Sequence, residues 1–77
     1  MGARRTETKN VFIADLNDAV IEVEQFVVDG ELRDITVYHK SEDGSKLLLM
    51  LDDAEGDPRQ QAIAIGKMLL EAAGEPI

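Results

Sequence analysis

Ile21 and Val23 alternate with Glu22 and Glu24, and Ile35 and Val37 alternate with Asp34, Thr36 and Tyr38. A period of two sends successive side chains to opposite sides of a strand, so Ala19–Val28 and Leu32–Lys40 are predicted as half-buried strands. Asp29-Gly30 between them is a tight-turn pair. A second turn follows at Ser41-Glu42-Asp43-Gly44-Ser45, and Lys46–Leu51, apolar on both faces, is a third strand. After Asp57 the period becomes helical. Ala62, Ile65, Gly66, Leu69 and Ala73 form one stripe, widened by Ile63 and Leu70, with Gln60, Ala64, Lys67 and Glu71 on the other side. Asp57 is placed to cap the helix, Pro58 suits its first position, Gln60 follows three residues after the cap, and Gly74 and Pro76 stop it. The predicted helix runs from about Pro58 to Ala73. Gly66 inside it costs about 1 kcal/mol relative to alanine, and close approach of helix to sheet would compensate.

Register follows from which pairing keeps one face apolar. With a three-residue loop at each turn glycine in a left-handed conformation, Ile21 falls opposite Val37 and Val23 opposite Ile35. In the second hairpin Val37 then meets Leu49, Ile35 meets Leu51 and His39 meets Leu47. A two-residue loop at Asp29-Gly30 would set Glu24 against Ile35 and spoil that face, because a slip of one residue exchanges the two faces. The expected core is Ile21, Val23, Ile35, Val37, Leu49, Leu51, Ile65 and Leu69. The fold class is therefore α+β: a three-stranded antiparallel β-meander with one C-terminal helix packed on one face. Val11–Ala14 forms either a short extra N-terminal strand or a segment packed on the sheet from outside. Residues 1–10 read as a flexible leader and residues 11–77 as a single α+β domain.

Seventy-seven residues allow one domain, and a chain this short buries only about 60% of the surface its unfolded form exposes. There is no cysteine, which removes disulfides, thiolate metal sites and a cysteine nucleophile. With no signal-like or membrane-spanning apolar run, the expected location is cytoplasmic. The net charge of −8 is unevenly spread. Arg4, Arg5 and Lys9 outweigh Glu7 in the first ten residues, and fifteen acids outweigh five bases in the rest. Such a body repels phosphate backbones and anionic lipid, so neither nucleic acid nor membrane is an expected partner.

Candidate chemistry is sparse. Asp52, Asp53, Glu55 and Asp57 resemble a cation loop in composition, but acids before a first helical turn also favour the helix dipole, and the spacing fits no calcium loop. His39 is the only histidine, with Ser41 and Ser45 nearby but no second catalytic group. No phosphate loop, nucleophile elbow or metalloprotease motif is present, so neither an enzyme nor a cofactor is expected. The face away from the helix is more informative. It is expected to set Phe26 beside Leu32, Tyr38 beside Leu48 and Thr36 beside Met50, diluted by Glu22, Glu24 and Asp34. Exposed apolar area of this kind marks an interface, unless Val11, Phe12 and Ile13 fold over it. The expected function is a small non-catalytic protein-interaction module or adaptor, bound to a protein partner or to itself as a homodimer. The alternative is an acidic inhibitor that imitates nucleic acid and occupies a basic site on a partner protein.

Asp18-Ala19-Val20-Ile21-Glu22-Val23, Val27-Val28-Asp29-Gly30-Glu31-Leu32 and Asp57-Pro58 at a helix start resemble a family of short bacterial proteins with no established activity. The resemblance covers residues 18–73 discontinuously, and the tryptophan and histidine of that family's helix have no counterpart here. It implies a small bacterial protein, and no residue inherits a role from it.

Overall fold

The computed structural model describes residues 5–75. Four antiparallel strands, β1 (Glu7–Asp15), β2 (Ala19–Val28), β3 (Glu31–Ser41) and β4 (Gly44–Asp52), form one open sheet in the order β1-β2-β3-β4. A short 3₁₀ turn (Asp53–Glu55) leads to the helix α1 (Pro58–Ala72). The α+β class and the C-terminal helix agree with the sequence. The segment around Val11 is a nine-residue edge strand along β2 rather than a cover for the sheet. Glu7–Asn10, expected in a flexible leader, belong to that strand. Residues 1–4 of the expected leader and the helix stop signal at Pro76 lie outside the described residues. Thr6 and Asp29 tie the start of β1 to the β2–β3 turn. The Thr6 amide donates to Asp29 Oδ1 at 2.9 Å, and the Asp29 amide donates to Thr6 O at 2.8 Å.

The first hairpin corrects the expected register. Val28 pairs with Glu31, which leaves the two-residue loop Asp29-Gly30. Farther on, Val23 pairs with Val37, Ile21 with His39 and Gln25 with Ile35. From Asp34 onward the pairing is displaced by two residues from the expected one, so those side chains keep their faces. What restores the faces is a β-bulge: Arg33 is the extra residue between Leu32, paired with Val27, and Asp34, paired with Phe26. In the second hairpin Val37–Leu49 and Ile35–Leu51 pair as expected. Leu48 is then bulged, so His39 meets Lys46 rather than Leu47. The loop there is the two-residue Glu42-Asp43, with Gly44 at φ 121°.

Directly paired residues share a face of the sheet. One face carries Phe12, Ile21, Val23, Ile35, Val37 and Leu49, and the other carries Val11, Glu22, Glu24, Phe26, Thr36 and Tyr38. The helix lies on the first of these, against β3 and β4. On β4, Leu51 is 6% exposed and Leu49 half-buried, whereas Met50 between them, on the opposite face, is 55% exposed.

The helix is set by its ends. Asp57 Oδ1 accepts the Arg59 amide at 3.0 Å, Pro58 occupies the first turn, and the Gln61 side chain donates to Asp52 O at 2.8 Å and to Gly56 O at 3.2 Å. At the far end Gly74, at φ 85°, donates to Glu71 O and Glu75 donates to Leu70 O, a Schellman closure. Pro58 is buried and Gln61, Ala62, Ile65 and Gly66 are half-buried, so the first half of the helix packs on the sheet. The second half does not. Leu69 lies in line with Ala62 and Ile65, yet it is 67% exposed, with Met68 and Leu70 exposed beside it. The expected burial of Leu69 is overturned, because the helix runs off the sheet after Gly66. The close approach expected at Gly66 is absent too, since a Cβ built there meets nothing within 4 Å.

Apart from Pro58, Val28 and Leu51 are the only buried hydrophobic side chains among the described residues, and neither is fully enclosed. Ile21, Val23, Ile35, Val37, Leu49 and Ile65, expected at the heart of the core, are half-buried. The radius of gyration is 14.9 Å, against about 11.5 Å for a compact domain of this length.

Candidate functional site

The residues singled out for chemistry take structural places. Asp52 Oδ1 accepts the Ala54 amide at 3.0 Å and Asp57 caps α1, so two members of the acidic cluster serve as caps. Among the described residues no group of histidines and carboxylates is arranged to hold a metal ion. His39 sits half-buried on the helix-side face between Ile21 and Lys46. Ser41 accepts the Asp43 amide at 3.3 Å, which ties its hydroxyl to the β3–β4 turn. An open depression between that turn and the β1–β2 turn is lined by Asn17, Asp18, Ser41, Glu42 and Asp43. Among the described residues no helix is long and apolar enough to cross a membrane.

The two faces differ in charge. Every Asp and Glu at a paired strand position falls on the face away from the helix: Glu7, Asp15, Glu22, Glu24, Glu31, Asp34 and Asp52. The helix-side face has none, and its ionisable groups at paired positions are His39 and Lys46. The acidic face is partly neutralised. Lys9 Nζ lies 2.9 Å from Glu24 Oε1 and Lys40 Nζ lies 2.8 Å from Glu22 Oε2, each lysine reaching across from a neighbouring strand. The hydrogen bond from Lys9 holds the Glu24 carboxyl below its ordinary 4.5 and raises Lys9 above 10.5. The bond to Glu22 raises Lys40 in the same way. Lys40 also lies 5.8 Å from the centre of the Tyr38 ring, within cation–π range.

Apolar groups stand in water on both faces and on the helix. Val11, Phe12, Ile13, Leu47, Leu48 and Met50 are each about half exposed or more. A folded monomer of 8.5 kDa exposes about 4,650 Å², whereas this chain exposes 6115 Å². Comparison of the chain with protein-family models, with curated proteins and with solved structures gives no match.

Of the six surface residues picked from the sequence, Phe26, Thr36, Tyr38 and Met50 share the acidic face. Leu32 pairs with Val27 on the helix side, on account of the Arg33 bulge. Leu48 is the bulged residue of β4, and Leu47 takes the expected place beside Tyr38. Sequence reasoning passed over the helix-side face as a surface, because it assigned that face wholly to the core. The available signal was the lack of acids among its alternating positions in a chain of net charge −8.

Proposed function

We propose that this chain is a non-catalytic protein-interaction module that self-associates. The observation that carries the reading is the surface excess together with the exposed aliphatic groups. Exposed apolar area costs about 25 cal/mol per Å², and a chain whose described residues bury little beyond Val28, Leu51 and Pro58 has little to set against chain entropy. Association supplies the missing burial. Cap and turn roles for Asp52, Asp57 and Ser41 favour binding over catalysis. An acidic mimic of nucleic acid is less well supported. It needs a line of unneutralised carboxylates, and Glu22 and Glu24 are each matched by a lysine.

Sedimentation over a series of concentrations tests the reading. The expected result is a species of twice the 8.5 kDa chain mass that dissociates on dilution. A monomer persisting from micromolar to millimolar concentration would remove the basis for the proposal.

A further inference from the structure

The helix-side face of the sheet is finished only where α1 lies on it. The helix contacts β3 and β4. Over β1 the same face leaves Phe12 56% exposed and Ala14 exposed, and Ile21 and Val23 on β2 are half-buried. The helix in turn carries Leu69 beyond the sheet, turned to the side on which Ala62 and Ile65 pack. One chain thus presents, on one side, an apolar sheet surface lacking a cover and an apolar helix end lacking a surface to cover.

We propose that a second copy of this chain docks on the acid-free, helix-side face, burying Phe12, Ile21, Val23 and the overhanging Leu69 of both copies in one twofold contact. The assignment rests on self-association as proposed above and adds the face and the occupant. Charge decides between the faces. Two copies of net charge −8 repel, and a twofold contact sets the same patch of each copy against the other, so a patch of one sign meets its own sign. On the acidic face that would set seven strand carboxylates per copy, four of them paired with Arg5, Lys9, Arg33 or Lys40, against the same set on the other copy, an excess of negative charge on both sides. On the helix side no strand carboxylate enters the contact. The open edges are less suited to it: β4 carries the Leu48 bulge, and edge pairing along β1 would leave Phe12 and Leu69 in water.

The absence of cysteine lets single thiols report on each face. Ala14→Cys puts a thiol on the acid-free face, and Ile13→Cys puts one on the acidic face of the same strand. Alkylation by iodoacetamide is followed on each variant at concentrations where sedimentation shows monomer and where it shows dimer. Dimerisation is expected to slow Ala14→Cys at least about tenfold and Ile13→Cys less than about twofold. Protection of Ile13→Cys alone, of both or of neither in a dimeric protein overturns the assignment while leaving self-association standing. A monomer at every concentration overturns both. A second pair uses two exposed residues, Phe12 and Met50. Phe12→Glu is expected to weaken the dimer at least about 100-fold and Met50→Glu less than about threefold. The reverse order would sink the proposal, and if Phe12→Glu fails to fold the thiol rates still decide.

Discussion

Asp29 and Gly30 turn the chain with φ of 51° and 79°, both in the left-handed region that a two-residue hairpin loop of the primed kind requires. Aspartate tolerates that region and glycine is at ease in it, so the pair is read directly from the sequence. An added Cβ at Gly30 meets no atom within 4 Å, so the cost of Gly30→Ala is conformational alone. A loss of about 1 kcal/mol is expected in urea unfolding. Leu51 and Leu69 make a sharper contrast, because one is 6% exposed and the other 67%. Leu51→Ala is expected to cost roughly 2–5 kcal/mol, whereas Leu69→Ala leaves the isolated chain within about 0.5 kcal/mol. Comparable losses for both, measured on dilute protein, would mean that the helix end packs on its own sheet. The Lys9–Glu24 pair gives a pH signature with a definite sign. A carboxyl held below 4.5 stabilises the fold above that pH, and the contribution fades as pH falls through its lowered value. Lys9, raised above 10.5, stabilises below that pH and fades as pH climbs through its raised value. Melting temperatures of the wild type and Glu24→Gln should therefore differ on the neutral plateau and converge in acid.

Among the elements, α1 was the most legible. Asp57, Pro58 and Gly74 act locally, and local rules fix a helix end whatever the helix packs on. Strands β2 and β3 were legible by alternation and β4 as a short apolar run between turns; the faces were legible too wherever the register error was two residues, but not for Leu32 and Leu47 beyond the bulges, where it was one. The bulges at Arg33 and Leu48 left no trace in the sequence, since one extra residue in a strand has no composition of its own. Strand β1 was read too short for a related reason. Glu7, Thr8, Lys9 and Asn10 lack apolar alternation, yet an edge strand exposed on both faces does not need it. What holds that half of β1 is the pair of bonds between Thr6 and Asp29, the Lys9–Glu24 bridge and the Asn10 side chain donating to Gln25 Oε1 at 2.9 Å. The helix was placed correctly in sequence and too generously in space. A stripe of apolar residues says which side of a helix seeks cover, and Leu69 shows that it does not say whether the same chain provides it.

At the scale of the molecule the picture is a thin, elongated body measuring 51 × 33 × 19 Å, one sheet and half a helix thick. The apolar surface of the candidate site was visible in the sequence as alternating aliphatic residues, but periodicity alone cannot separate a face that is core from one that is contact. Where folding and association draw on the same apolar surface, stability depends on the amount of protein present. The melting temperature is expected to rise with total chain concentration, and a value unchanged over a hundredfold range would contradict this. The scarcity of buried side chains among the described residues, Val28, Leu51 and Pro58, then bears on the protein's lifetime in a cell. If the copies pair as proposed, a chain made too slowly to meet its copy would spend its time partly open and exposed to proteases, whereas one made above that threshold would persist. Its rate of synthesis would act as a switch, with degradation clearing whatever remains unpaired.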